Sequence, residues 1–500
     1  MNNNLVTQWY RPLDIIVKGV CSKDNPFLAE LKGEFTGPEG ETIVIPGFYD
    51  GDNTWRIRFS PTRVGVWKYD ILSDDIAYGK MNGEIQCIEN ENKKVHGRLG
   101  VNPDYPHHFK YEDGISHFML AYECDWLWAL DLGKHQGSET QEFIDSIKEY
   151  GFNNIVMNVY AHDTTWAKGR TCDKDYGPPA LYAWKGSNDY PDQSRFNSQF
   201  FSNYDRVVTI LLNEGITAHI LLKVYNKAVK WPEKYSIEDD LYFKYIVARY
   251  QAFPNIIWDY SKEAYYEADK DYINSRIEII KEYDAYKHLI TLHDDRVLLD
   301  NCNYNKNLDF LTAQQHNDFY YSILYERQKR KWPVFNSEFG YEWGPLQKPL
   351  TWAAQNAEEF VGRAYEVVMA GGYPGYYYDY TAWDIIDFSV IPKGYSYFKI
   401  LYDFFTSIEW WKLEPHPEVC CWHGRCLADI GREYVFYIDA YKNALFNMSF
   451  LDKPYTAQWI NTYTGERVAG ELCPHISSSD LRTSQCPFKD APGILHIYIG

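Results

Sequence analysis

No block of lysine or arginine occurs in this sequence, and 69 acidic residues against 50 basic ones leave a formal charge of −19. Such a surface repels phosphate backbones, which argues against a nucleic-acid partner. No stretch is long and apolar enough to span a membrane, and the opening residues, Met1 to Pro12, contain no apolar core of a secretory signal. A cytoplasmic protein with reduced thiols is the expectation, and a secreted one whose signal has been removed is the alternative. The ten cysteines are scattered and form no C-x-x-C pair. Cys420, Cys421 and Cys426 lie beside His423, but the spacing fits no zinc pattern well, which leaves free core thiols or one disulfide. No cluster of His and Asp has ligand spacing, so neither metal nor cofactor is expected.

Aromatic residues are abundant, with 17 Trp, 44 Tyr and 26 Phe. Flat rings with a polar handle suit sugar rings, and they equally suit an aromatic core with hydroxyls at its rim. The length of 500 residues suggests two to four domains.

Residues 1–95 read as β structure. Trp55, Ile57 and Phe59 alternate with Arg56 and Arg58, then Trp67, Tyr69 and Ile71 with Lys68 and Asp70. Asp50-Gly51 marks a tight turn before them. A small immunoglobulin-like β-sandwich fits. The polar run from Glu89 to Lys94 reads as a linker. Over 96–400, eight apolar runs (117–123, 153–160, 216–224, 255–260, 288–293, 308–315, 333–337 and 374–379) alternate with amphipathic stretches. The clearest helices are 139–150, 200–214, 238–250, 270–283 and 356–370. Eight repeats at this length predict an α/β fold, a (β/α)8 TIM barrel. A doubly wound sheet competes, but no Gly-rich phosphate loop follows the first run. Residues 401–500 return to β, with 434–438 and 495–499 as strands and 461–466 as a turn, so a small C-terminal β-sandwich is expected.

Barrel enzymes place their chemistry where the strands end. Here the runs end in Glu123, Asp125 and Trp126; Asn158 and Tyr160; Lys223, Tyr225 and Asn226; Lys262 and Glu263; His293; Gln314, Gln315 and His316; Glu338; and Tyr377, Tyr380 and Trp383. Carboxylates, amides and rings predominate and arginine is scarce, which suits neutral polyhydroxylated ligands better than phosphates. Glu263 and Glu338 end runs four and seven, across the mouth from each other. Glycosidic cleavage needs such a pair, at about 5–5.5 Å for retention and about 6.5–9.5 Å for inversion. Glu263 would be the acid/base and Glu338 the nucleophile, with the Glu263 carboxyl raised by burial and by the Glu338 charge. Asp379 and Asp384 are rival carboxylates.

Several motifs resemble one family along nearly the whole chain. Ile45-Pro-Gly-Phe-Tyr-Asp-Gly-Asp52, Trp55-Arg-Ile-Arg-Phe-Ser-Pro61 and Gly65-Val-Trp-Lys-Tyr69 are similar to a DUF5060 module. His96-Gly-Arg-Leu-Gly-Val101, Phe109-Lys-Tyr-Glu-Asp-Gly114, Glu338-Phe-Gly-Tyr-Glu342 and Ala370-Gly-Gly-Tyr373 are similar to an apiosidase-like (DUF4038) barrel of the clan A glycoside hydrolases, which in this group precedes a DUF5605-like β domain. The resemblance implies a retaining glycosidase with Glu338 as nucleophile and Glu263 as acid/base, acting on plant or microbial glycans. The clan usually has Asn before the acid/base, where it binds the sugar 2-hydroxyl. Here Lys262 stands in its place, and a lysine cannot accept a hydrogen bond. Glu123 departs as well, beside a retained Asp125-Trp126 step.

In the functional reading His293 and His316 bind sugar hydroxyls or orient Glu338. Glu123 and Asp125 bind the sugar end, and Tyr377, Tyr380 and Trp383 form a stacking wall. In the alternative these are core histidines, a barrel salt bridge and rim packing. Trp126 and Trp166 are weaker candidates. Long loops, such as 160–195, would close the site into a pocket for exo action. A catalytically inactive carbohydrate-binding barrel is the rival function. No membrane partner is expected, and a homo-oligomer stays open.

Overall fold

The computed structural model describes residues 5–79, 81–134, 137–164, 174–294, 307–344, 353–448, 454–475 and 477–499. Period-two patterning builds the N-terminal layer. In Gly65–Leu72, Trp67, Tyr69 and Ile71 are buried while Lys68 and Asp70 face water. This strand sits in a five-stranded sheet that packs against a three-stranded one formed by Leu13–Lys18, Thr54–Phe59 and Phe48–Gly51. Phe35 and Phe59, one from each sheet, stack with centroids 3.9 Å apart. The tight turn falls two residues later than the Asp50-Gly51 expected. Asp52 and Asn53 carry φ of 48° and 52°, the pair of left-handed residues a two-residue hairpin needs, and Asp50-Gly51 still belongs to the strand.

The middle of the chain closes into a barrel. Its strands are β1 (Ala121–Glu123), β2 (Asn154–Asn158), β3 (Thr217–Val224), β4 (Ile256–Lys262), β5 (Ile290–Thr291 and His293–Asp294), β6 (Leu311–Gln314), β7 (Val334–Glu338) and β8 (Tyr373–Tyr376). All neighbours run parallel, and β1 pairs with both β2 and β8. The first piece of β5 pairs with β4 and the second with β6, so the ring closes through Leu292. Every residue of β2, β3, β4 and β7 is buried, as expected for a sheet with helices outside and side chains within. β1 is shorter than the sequence suggests, because His117 pairs instead with Phe109 in a small antiparallel sheet before the barrel.

The helices are α1 (Glu139–Lys148), α2 (Ser198–Glu214), α3 (Ile237–Tyr250), α4 (Lys270–Tyr283), α5 (Tyr321–Lys329), α6 (Ala357–Met369) and α7 (Lys393–Thr406). Asn197, Ser236, Asp269 and Asn356 cap four of them by accepting an amide hydrogen bond, each worth about 1 kcal/mol. α5 and α7 lie outside the helices read from pattern. α5 buries Glu326 and Arg327 beside Ile323, which breaks the apolar stripe. The run Glu89 to Lys94 is a pinned strap: Lys94 pairs with Glu214 at 2.8 Å, and its carbonyl would lie 2.4 Å from a Cβ on Gly215, the left-handed cap of α2 (φ 72°).

Buried charge locks the sandwich to the barrel. Arg58 binds Asp14 (2.7 Å) and Asp205 of α2 (3.0 Å), while Arg249 of α3 binds Asp205 and Asp50, both at 2.8 Å. The C-terminal sandwich, of six- and four-stranded sheets, includes the expected strands as Glu433–Ile438 and Gly493–Ile499. It meets α6 through Tyr365 stacked on Tyr437 and Arg425 paired with Glu366. Cys426 lies in its core while His423 is exposed, so these two do not share a metal site. Cys87, Cys124, Cys426 and Cys486 are buried free thiols. Among the described residues no helix is long and apolar enough to cross a membrane.

Candidate active site

Glu338 is the last residue of β7 and is almost fully buried. Its Oε1 accepts hydrogen bonds from Tyr341 Oη (2.5 Å) and Gln314 Nε2 (3.1 Å). Among the described residues its Oε2 accepts none, but lies 3.3 Å from Lys262 Nζ and 3.9 Å from His293 Nε2. His316 Nε2 approaches Oε1 at 3.9 Å. Burial alone would raise this carboxyl. The Lys262 ammonium, with the two histidines and the Tyr341 hydroxyl, outweighs it and holds the group at about 2. Gly340, with φ of 137°, makes the turn that brings Tyr341 back to Glu338, and a Cβ there would lie 2.2 Å from Gln355 Oε1.

Glu263 follows β4 in a left-handed conformation (φ 56°, ψ 51°), a strain of about 1–3 kcal/mol of the kind found at functional sites. Asn226 Nδ2 donates to its Oε1 at 2.6 Å. Its carboxyl is raised, first by burial and then by the Glu338 charge, against the pull of Lys227 and Lys262. One carboxyl is thus pushed up and the other down, the division an acid and a nucleophile require.

Lys262 lies at the centre. Its Nζ pairs with Glu123 Oε1, stands 3.6 Å from Asp125, donates to Tyr377 Oη at 3.1 Å and sits 4.7 Å from that ring's centre. Burial pushes Glu123 well above the usual carboxylate range, and Asp125 and Glu338 add to this against the attraction of Lys262. Asp125 also accepts from Tyr377 Oη and pairs with Lys227 at 3.5 Å. Burial lowers His293 to about 3, so it is a neutral imidazole at this site. Sequence spacing shows no metal-type cluster, yet the fold builds one: ligand atoms of Glu123, His293 and Glu338 lie within 4.8 Å of one another. These residues come from β1, β5 and β7, so no local motif could reveal them. Lys262 already brings a positive charge to two of the three, which makes this donor set a poor fit for a metal ion.

Of the residues expected at the mouth, Glu123, Asp125, Lys262, Glu263, His293, His316, Glu338 and Tyr377 converge. Trp126 lies beside them under Lys227, whose Nζ is 5.9 Å from its ring centre. Trp383 (φ 59°) packs on Tyr341 at 5.4 Å. Asn158 instead accepts from Trp128 Nε1. Tyr160 packs among Trp128, Trp184 and Phe200, and Tyr380 beside Tyr378. Asp384 accepts from Thr164 and ties two loops together. Trp166 lies outside the described residues. Asn226 and Gln314 stand among the strand-end residues without an assigned role, and pattern reading does not single out Lys227 or Tyr341. Gln314 ends β6, Asn226 and Lys227 lie in the loop that follows β3, and Tyr341 stands just past the turn at Gly340.

A parallel eight-stranded barrel whose mouth gathers carboxylates, amides and rings is the architecture of a glycoside hydrolase, and the comparisons agree. The model of the apiosidase-like catalytic domain matches residues 104–393, and the chain belongs to that family. The DUF5060 model, a domain of unknown function, matches 6–74. Among solved structures, a candidate glycoside hydrolase of Bacteroides vulgatus aligns over 100% of both chains at 21% identity with a TM-score of 0.79. A glycoside hydrolase family 5 protein of the same organism covers 81% of this chain and 93% of its own at 16% identity and a TM-score of 0.58. At these identities the likeness is one of fold. No curated protein sequence matches the chain.

Proposed function

We propose that this glycosidase works by retention through double displacement, with Glu338 as nucleophile and Glu263 as acid/base. The catalytic unit is residues 96–400, flanked by units 1–95 and 401–500. The observation that carries the reading is the opposite tuning of the two carboxyls, together with the unbonded Glu338 Oε2. Glu338 can attack an anomeric carbon while Glu263 protonates the departing oxygen. Buried atoms without protein partners surround the pair, including Glu123 Oε2, Asp125 Oδ1, Asn226 Oδ1, Gln314 Oε1 and Trp126 Nε1. Acceptors outnumber donors in this set, which suits a ligand rich in hydroxyls. Glu123, Asp125, Lys262, His293, His316 and Tyr377 would bind the sugar, with Trp126 and Trp383 as walls.

Exo action on an apioside or another plant or microbial glycoside fits the loops. After β2, Asp163 bridges to Ala228 and Asp175 to Ile385. The test is a panel of aryl glycosides and plant oligosaccharides with wild type, Glu263→Gln and Glu338→Gln, with product stereochemistry followed by proton NMR. Turnover with retention, lost in both variants and restored to Glu338→Gly by azide, supports the assignment. Inverted product would overturn retention. Sugar binding without turnover would favour the inactive binding barrel.

A further inference from the structure

The position before the acid/base candidate holds an ammonium that touches the nucleophile candidate, and this contact has consequences for the second half of the reaction. Glu338 Oε1 is occupied by Tyr341 and Gln314, so Oε2 is the oxygen left to attack. The cation nearest to Oε2 is Lys262 Nζ, at 3.3 Å. We propose that Lys262 acts on the glycosyl-enzyme: its ammonium stabilises the carboxylate that leaves when the ester to Glu338 is broken. The proposal rests on the retaining reading.

In the first step an Oε2 lone pair forms the bond to the anomeric carbon, the bond to the aglycone oxygen breaks, and that oxygen takes the proton of Glu263. Negative charge leaves Glu338 in this step, so a fixed cation beside it gives no advantage and binds the ground state. In the second step Glu263, now a carboxylate, removes a proton from water as the water oxygen bonds to the anomeric carbon. The ester bond breaks and its electron pair returns to Oε2. Negative charge grows there, beside Lys262, in a dry setting where a preplaced charge is worth most. Lys262 thus opposes formation of the intermediate and promotes its breakdown.

The ammonium is held in place for this work. Glu123 from β1, Asp125 after it, and Tyr377 after β8 all bind or face it; Lys227 after β3 is the second cation nearby, and the neutral imidazole of His293 from β5 lies beside Glu338. It is about 1% exposed, so water cannot take its place at Oε2.

The test is pre-steady-state release of dinitrophenol from a panel of dinitrophenyl glycosides of apiose and the common neutral pentoses and hexoses, in wild type, Lys262→Met, Lys262→Gln and Lys262→Arg. For the uncharged variants the expected result is a burst near one equivalent of enzyme, with a mass adduct on Glu338. Steady-state kcat should fall by about 10- to 100-fold and KM should fall with it, while kcat/KM changes far less. Lys262→Arg keeps the charge and should show no burst. Lys262→Gln can retain hydrogen bonds to Glu123 and Tyr377, and so guards against misfolding of the methionine variant. Equal falls in kcat and kcat/KM with no burst, in a variant whose circular dichroism matches wild type, would overturn the proposal. Inverted product in wild type, or no turnover of any glycoside, would overturn the retaining reading and this proposal together.

Discussion

Replacing Tyr341 by phenylalanine removes one hydroxyl and nothing else from the support of Glu338. That hydroxyl donates to Oε1 at 2.5 Å, inside the range of charge-assisted hydrogen bonds, and the ring stays packed between Tyr377 and Trp383. A hydrogen bond to a charged group contributes about 1.5–3 kcal/mol, so kcat/KM at neutral pH should fall by roughly 10- to 150-fold if Oε1 must be held for Oε2 to attack. The same loss shifts the carboxyl. Tyr341 is one of the groups that keep Glu338 at about 2 against burial, and its removal should raise the group. A folded-state value below the usual one rises towards it, so the variant should begin to lose activity on the acid side at a higher pH than wild type. The assay is kcat/KM against pH on the best aryl glycoside, with thermal unfolding as a control for the fold. A variant within about twofold of wild type at neutral pH, with the same acid limb, would show that Tyr341 packs beside the nucleophile without fixing it.

Wild-type kcat/KM should be flat on the acid side, because Glu338 is ionised above about 2, and should fall on the alkaline side through the raised carboxyl of Glu263. A profile with the opposite limbs would exchange the two roles. Asp205→Asn leaves the buried guanidinium groups of Arg58 and Arg249 short of a shared anion and should cost about 3–5 kcal/mol, read as a lower calorimetric midpoint and earlier release of the N-terminal sandwich in limited proteolysis. Glu342 is raised from 4.5 to about 7 by burial, despite accepting from Tyr376 and the Gly394 amide. The unfolded chain gives up this proton first, so wild type loses about 3 kcal/mol as pH rises from 4.5 to about 7, and the loss is absent below 4.5. Glu342→Gln should therefore gain stability relative to wild type above neutral pH and show no gain near pH 4; an equal difference at both pH values would refute the assignment.

The fold was legible where burial follows a simple period. Lys68 and Asp70 between Trp67, Tyr69 and Ile71 define a half-wet strand, and eight apolar runs with helices between them define the barrel. Where burial is polar the pattern failed. α5 hides Glu326 and Arg327, and β8 stops at Tyr376 while Tyr377 turns to bind Asp125 and Lys262. The carboxylate pair proposed as catalytic follows from strand ends alone, because the fold dictates where those ends meet. The partners could not. Gln314 reaches Glu338 from the neighbouring strand and Lys262 reaches Glu123 across 139 positions of sequence, contacts set by barrel closure and by no local spacing.

Glu123 and Lys262 meet inside the barrel mouth, and the structure explains why the two occur together. A buried ammonium costs several kcal/mol unless anions and hydrogen bonds meet it. Glu338 alone cannot do this without losing its freedom to attack, because an ammonium bound to it alone would compete with the sugar for Oε2. Glu123, Asp125 and Tyr377 share the ammonium and leave Oε2 3.3 Å from it, close enough for attraction and without a hydrogen bond between them. The accessory carboxyls thus meter how much of the lysine's charge the reacting oxygen feels. An asparagine in this position would carry no charge to be met, so the contact of Glu123 with Lys262 goes with the lysine.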